Sequence, residues 1–249
     1  TWNFLARSPT KYFHKEHSYL PLGEEGISEH IEQTMNRYKI ILEEIKKSEA
    51  DVLFLQELDY NLYYYLKKYI NRKYKIFFNS VTDNRTKDQS NSFGTGILWK
   101  KERFVLRKSF EINSNTDKYG WKNSNTALLY DKNSDKTFYC ISIHLSGSNM
   151  DSNLLLLNDT FKKLNKKYPF VIAGDLNCRF HLSDCLKNYH MLTDLNTYKF
   201  KKNDISTCTF DFYKKVKDKK SLIDSILFTS KIQGITYKIE KQSCGKKTL

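Results

Sequence analysis

Apolar positions recur along this chain in two rhythms, one of about 3.6 residues and one of short continuous runs. Between Glu29 and Ser48, Ile31, Met35, Tyr38, Ile41, Leu42 and Ile45 share one face with mostly charged residues between them, which predicts an amphipathic helix. Val52-Leu53-Phe54-Leu55 is too short for a helix and predicts a buried strand. Leu62, Leu66 and Tyr69 predict a second helix, and Tyr74 to Phe78 a strand. Residues 79–93, polar and ending at Gly94, read as a loop at the mouth of a site or as a hairpin end. Gly96 to Trp99 and Phe104 to Leu106 follow as strands around a charged turn, Lys100 to Arg103. Asn125 to Tyr130 and Thr137 to Ile143 form a hairpin around Asp131 to Asp135. Asp151 to Lys167 is helical through Leu154, Leu155, Leu157, Phe161 and Leu164. The strand from Val171, a short helix near 181–188 and strands near 222–229 and 235–239 complete the series. Helix, several strands, then helix and strand again describe two stacked sheets flanked by helices.

The apolar runs end in chemistry. Val171-Ile172-Ala173 stops at Gly174, Asp175, Leu176 and Asn177, so a buried strand delivers a carboxylate and a carboxamide where the backbone leaves the core. Taken alone, Asp and Asn there could simply close an Asx-turn. Three further strands end the same way: Trp2-Asn3, Val52 to Leu55 followed by Gln56-Glu57, and Cys140 to Ile143 followed by His144. Four polar tips suggest one site. Asn3, Glu57, His144, Asp175, Asn177 and Asp224 supply oxygen donors, amides and one imidazole, a set that suits a hard cation such as Mg²⁺ or Mn²⁺.

Composition adds a partner class. A formal charge of +14 and a pI near 9.4 favour polyanions, nucleic acid first and anionic membrane next. Lys and Asn are abundant throughout, however, and a compositional drift of the coding sequence would yield the same balance. Asn125, with Lys162 and Lys163 on the helix before the Gly174 strand, are the candidate substrate contacts, although Lys162, Lys163, Lys166 and Lys167 also read as a solvated helix face. Tyr63-Tyr64-Tyr65 invites base stacking, yet tyrosines on a helix more often serve packing. His14 and His17 fall between prolines and glycines in a long loop. Five cysteines without a C-x-x-C pair indicate neither a disulfide framework nor a zinc site, and the expectation is a reducing, intracellular and cytoplasmic setting. No apolar run approaches the roughly 18 residues of a membrane span. Residues 1–249 fit a single monomeric domain.

The order Trp2-Asn3, Leu55-Gln56-Glu57, Gly96-Ile97-Leu98, Ile143-His144-Leu145, Gly174-Asp175-Leu176-Asn177 and Ile223-Asp224-Ser225-Ile226-Leu227 resembles the endonuclease/exonuclease/phosphatase superfamily over essentially the whole chain. The resemblance implies a four-layered α/β sandwich, two mixed β-sheets flanked by helices, with a Mg²⁺-dependent phosphoesterase site at the ends of the inner strands. It implies Glu57 as main metal ligand with Asn3 beside it, and Asp175 as the group that activates the attacking water. Asn177 would hold the scissile phosphate, His144 would contact the phosphate or leaving oxygen, and Asp224 would pair with a terminal histidine. Trp2-Asn3-Phe4-Leu5-Ala6 looks most like the deadenylase and nocturnin branch. The expected activity is therefore a 3′ exoribonuclease of deadenylase type on single-stranded RNA. A DNA-directed endonuclease or DNA-end phosphodiesterase, an inositol phosphate or lipid phosphatase, and a silent binding relative remain alternatives. Ser142 stands where the family usually has Asn, and Ser243-Cys244-Gly245 where it closes on Ser-Asp-His. The expectation is a sequence trimmed at both ends, with the terminal motif beyond Leu249.

Overall fold

The structure is a computed structural model, and it describes residues 2–3, 31–81, 93–113, 123–145, 150–175 and 224–228. The described residues form nine strands and three helices. The strands are β1 (Trp2–Asn3), β2 (Val52–Asp59), β3 (Tyr74–Val81), β4 (Phe93–Lys100), β5 (Phe104–Asn113), β6 (Asn123–Asp131), β7 (Lys136–His144), β8 (Phe170–Asp175) and β9 (Asp224–Phe228). The helices are α1 (Ile31–Ser48), α2 (Tyr60–Ile70) and α3 (Met150–Lys162). One sheet runs β1-β2-β4-β3 and the other β5-β6-β7-β8-β9. Both are mixed, since β1 runs parallel to β2 and β7 parallel to β8 while the remaining pairs are antiparallel.

Strand periodicity sorts the side chains into layers. Leu55, Leu58 and Leu98 face outward from the first sheet and pack against Tyr38, Ile41, Leu42 and Ile45 of α1 and Leu62, Leu66 and Ile70 of α2. Ile141, Ile143 and Ile172 face outward from the second sheet against Leu156 and Phe161 of α3. Phe54, Ile97, Trp99, Phe104, Ala127, Leu129, Cys140 and Ala173 fill the space between the sheets. Helices, sheet, sheet and helix give the two stacked sheets flanked by helices that the pattern predicts and the four-layered sandwich that the resemblance implies, and no described helix is long and apolar enough to cross a membrane.

Several boundaries differ from the sequence reading for physical reasons. β2 does not stop at Leu55: a bulge between Leu55 and Leu58 absorbs an extra residue and the strand continues to Asp59. β3 and β4 extend into the segment read as loop, reaching Val81 and starting at Phe93. β5 runs to Asn113 because its pairing with β6 carries past Arg107 and Lys108 through a second bulge. α3 ends at Lys162, where Lys163 N and Leu164 N bond to Thr160 O and Phe161 O in a tighter turn. The predicted helix near 181–188, the strand near 235–239, His14, His17 and the chain's last residues lie outside the described residues.

The two ends of the sandwich are built differently. At one end Arg103 joins Asp131 through Nε and Nη2, at 2.9 and 2.7 Å, and also pairs with Asp51, which Lys100 meets at 2.9 Å. That clasp ties the start of β2 to the β4–β5 turn and the end of β6. The other end carries the polar strand tips.

Candidate metal and phosphoester site

Between the sheets, the inward-facing rows change character toward that second end. Ala127 of β6 pairs with Cys140 of β7, which pairs with Val171 of β8. Two residues further along, Asn125, Ser142 and Ala173 make the next inward row, and after it Asn123, His144 and Asp175. The core thus passes from apolar to amide and hydroxyl and then to imidazole and carboxylate. Asn123, Ser124, Asn125 and Thr126 are all buried despite their polarity.

Amides and hydroxyls there stitch one sheet to the other, which stabilises their burial. Asn123 Nδ2 donates to Asn79 O at 3.0 Å, and Asn125 Nδ2 donates to Thr95 O at 2.6 Å. Gln56 Nε2 donates to Ser142 Oγ at 3.1 Å, and Ser142 Oγ donates to Leu55 O at 3.1 Å. The sheets approach closely at this end. A Cβ on Gly94 would run into Asn79 O and lie 2.8 Å from Asn123 Nδ2. A Cβ on Gly174 would collide with the Ile143 carbonyl of the neighbouring strand.

Glu57 owes its position to the β2 bulge. Gln56 and Glu57 together oppose Thr95, so the strict alternation of β2 is broken there. Glu57 adopts φ 52°, the left-handed region that non-glycine residues seldom occupy and that recurs at functional sites. Two residues on, Asp59 Oδ1 accepts from Leu62 N at 2.7 Å, capping α2, and from Tyr38 OH at 2.8 Å. The bulge is therefore held on one side by Ser142 and on the other by a buried cap.

The result is a compact cluster. His144 Nε2 lies 3.9 Å from Glu57 Oε1 and 4.0 Å from Asp175 Oδ2. One ligand atom from each of the three residues falls within 4.8 Å of the others, and His144 and Asp175 are buried. Glu57 comes from the first sheet, His144 and Asp175 from the second. β7 and β8 fix the latter pair in register, and Leu145 N closes the ladder on Asp175 O at 2.9 Å.

Two more of the sequence-predicted residues join this end through backbone register. Asn3 pairs with Gln56, beside Glu57, and Asp224 pairs with Asp175. Asn125 is fully buried two residues below Asn123, bonded to Thr95 O, and its Oδ1 has no hydrogen-bond partner among the described residues. Asn177 lies outside the described residues. Lys162 and Lys163 are not brought to the cluster: Lys162 ends α3 on the outer side of the second sheet and Lys163 begins the turn after it, Lys162 meeting Asp159 at 3.5 Å and Lys163 sitting over the Phe110 ring. Cys140 is buried between the sheets, and burial pushes its thiol up, away from any ligand role. Gln56, Ser142, Asn123 and Thr95 were not among the candidates. The signal for Asn123 was the polar run Asn123 to Thr126 leading directly into Ala127-Leu128-Leu129.

The chain belongs to the endonuclease/exonuclease/phosphatase family, whose model matches residues 1–187, and the members of that family are hydrolases of phosphoester bonds. None of the curated proteins matches it by sequence. Among solved structures it is similar to the catalytic domain of human nocturnin, crystallised with a bound sulfate anion (17% identity, 92% of this chain and 80% of that one, TM-score 0.59). It is similar to D. rerio TDP2 in complex with a single-strand DNA product (19% identity, 78% and 77%, TM-score 0.58). A mannosyl-6-phosphatase of Bacteroides thetaiotaomicron is about as similar (19% identity, 79% and 77%, TM-score 0.57). At these identities the likeness is one of fold, which matches the expected sandwich.

Proposed function

We propose that this chain is a divalent-metal-dependent phosphodiesterase acting on single-stranded nucleic acid, with 3′ exoribonuclease action of deadenylase type as its specific form. The observation that carries the reading is the convergence of Glu57, His144 and Asp175 from two sheets within 4.8 Å. The Glu57 and Asp175 carboxylates, one half-buried and one buried, repel one another at such separation, and a cation held at Glu57 relieves that cost. The donor set is oxygen-rich, with one imidazole and no thiolate, which fits Mg²⁺ or Mn²⁺.

In this reading Glu57, with Asn3 from the neighbouring strand, holds the ion. Bound there, a divalent cation supplies Lewis-acid charge to the phosphate and the departing oxygen. Asp175 accepts the proton of the attacking water. Asn177 orients the scissile phosphate, and His144 donates a hydrogen bond to a phosphate or leaving oxygen. Asn125 stands one inward row below Asn123, His144 and Asp175. The positive balance of the chain draws in the polyanion.

The test is parallel hydrolysis of labelled oligo(A), oligo(U), duplex DNA and an inositol phosphate, each with Mg²⁺ and with EDTA. Metal-dependent shortening of oligo(A) from its 3′ end supports the reading. Turnover of the inositol phosphate alone, or binding without turnover of any substrate, overturns it.

A further inference from the structure

Core packing does not explain where Tyr60 and Tyr64 of α2 sit. The face of α2 that seals the first sheet is Leu62, Leu66 and Ile70, at 0, 0 and 4% exposure. Tyr60 and Tyr64 lie away from it, 38% and 51% exposed. Their rings meet edge to face at 4.9 Å, and their hydroxyls lie 3.1 Å apart. Tyr64 adjoins Tyr63 at 5.2 Å, and Tyr63 stacks on Phe78 of β3 at 4.7 Å. Phe78 in turn lies 6.3 Å from Tyr60, so the four rings close into one patch. A lone exposed aromatic needs no explanation, but a contiguous group at the surface does.

Charge and position both point to the same ligand. Tyr60 to Ile70 contains no acidic residue, and its last turn carries Lys67 and Lys68. Lys67 Nζ sits 5.5 Å from the centre of the Tyr63 ring. Neither lysine has an ion pair among the described residues. The patch lies on the helix-covered face of the first sheet, toward the end that carries the site: Tyr60 follows Glu57 by three residues, and Phe78 pairs with Gly96, which pairs with Leu55 at the foot of the bulge. Two strand spacings, roughly 10 Å, separate Phe78 from that foot.

We propose that Tyr60 and Tyr64, backed by Tyr63 and Phe78, form a stacking platform for bases of a single strand whose scissile phosphate lies at Glu57, His144 and Asp175, with Lys67 placed for its backbone. Aromatic faces interleaved with cations are how proteins hold single strands without reading sequence. The platform rests on the nucleic-acid reading of the site above.

The experiment is fluorescence anisotropy of labelled single-stranded RNA, a decamer and a dinucleotide, at fixed salt in EDTA so that nothing is cleaved. The proteins are the parent, Tyr60→Ala/Tyr64→Ala, Tyr60→Phe/Tyr64→Phe and, as a control on the far end of the helix, Tyr69→Ala. The alanine pair is expected to bind the decamer about 10- to 100-fold more weakly, given about 1–3 kcal/mol per stacked base. The phenylalanine pair and Tyr69→Ala keep parental affinity, and the dinucleotide is held alike by all. If the alanine pair melts well below the parent, Tyr64→Ala alone is read in its place. Unchanged decamer binding by the alanine pair overturns the platform, as does an equal loss in the phenylalanine pair, which would assign the effect to the hydroxyls. A parent that ignores single-stranded RNA yet hydrolyses another phosphoester overturns the functional reading and the platform with it.

Discussion

Ser142 Oγ accepts from Gln56 Nε2 and donates to Leu55 O, both at 3.1 Å, and so one hydroxyl of the second sheet grips both residues that precede Glu57 in the first. The bulge that aims Glu57 at His144 is thereby fixed from across the sandwich. Losing a buried hydrogen-bond partner costs about 1–3 kcal/mol. Ser142→Ala should therefore melt modestly below the parent but require a several-fold higher Mg²⁺ concentration for half-maximal turnover. Metal titrations of turnover beside thermal melts separate the two effects. A stability loss with an unshifted Mg²⁺ requirement would limit Ser142 to holding the sheets together.

Asp175 is the proposed proton acceptor. Asp175→Asn keeps the shape of the side chain but removes the base, and positioned general bases supply about 10²–10⁴-fold. Single-turnover rates on a labelled oligonucleotide should fall by that factor while its binding stays within a few-fold of the parent. A rate within a factor of a few would leave Asp175 only a structural residue at the end of β8.

The clasp at the opposite end sets an acid limit on stability. The Arg103 guanidinium, despite burial, holds Asp131 at about 2, helped by Asn133 N and Ser134 Oγ. Because the folded value lies below the ordinary carboxylate value, the stabilisation is complete above about pH 4 and is lost as pH falls from there toward 2. It amounts to about 2 kcal/mol. Urea unfolding of Asp131→Asn should show lower stability at pH 7 and a flatter decline between pH 4 and 2. A parent and variant with parallel pH profiles would contradict the linkage.

The fold was legible because its signals are local. The α1 stripe of Tyr38, Ile41, Leu42 and Ile45 and the runs at Val52 and Val171 needed only spacing. The polar tips Glu57, His144 and Asp175 were legible for the same reason: each interrupts an apolar run. What escaped depends on partners distant in sequence. Asn123 is buried because it reaches Asn79, 44 residues away, and Ser142 matters because it reaches Leu55, 87 residues away. Spacing likewise cannot show that the β2 bulge carries the strand past Leu55. Nor does a helical lysine count reveal that Lys162 and Lys163 sit behind the second sheet, or that Tyr60 and Tyr64 remain at the surface while Leu62 and Leu66 are sealed.

The most direct test of the proposed site is turnover of a single-stranded oligonucleotide as a function of Mg²⁺ concentration, for the parent and for Glu57→Gln. The account predicts saturable, EDTA-abolished turnover in the parent, and a variant that melts near the parental temperature yet loses activity by orders of magnitude at every Mg²⁺ concentration. Undiminished turnover of the parent in EDTA, or of Glu57→Gln in Mg²⁺, would contradict it.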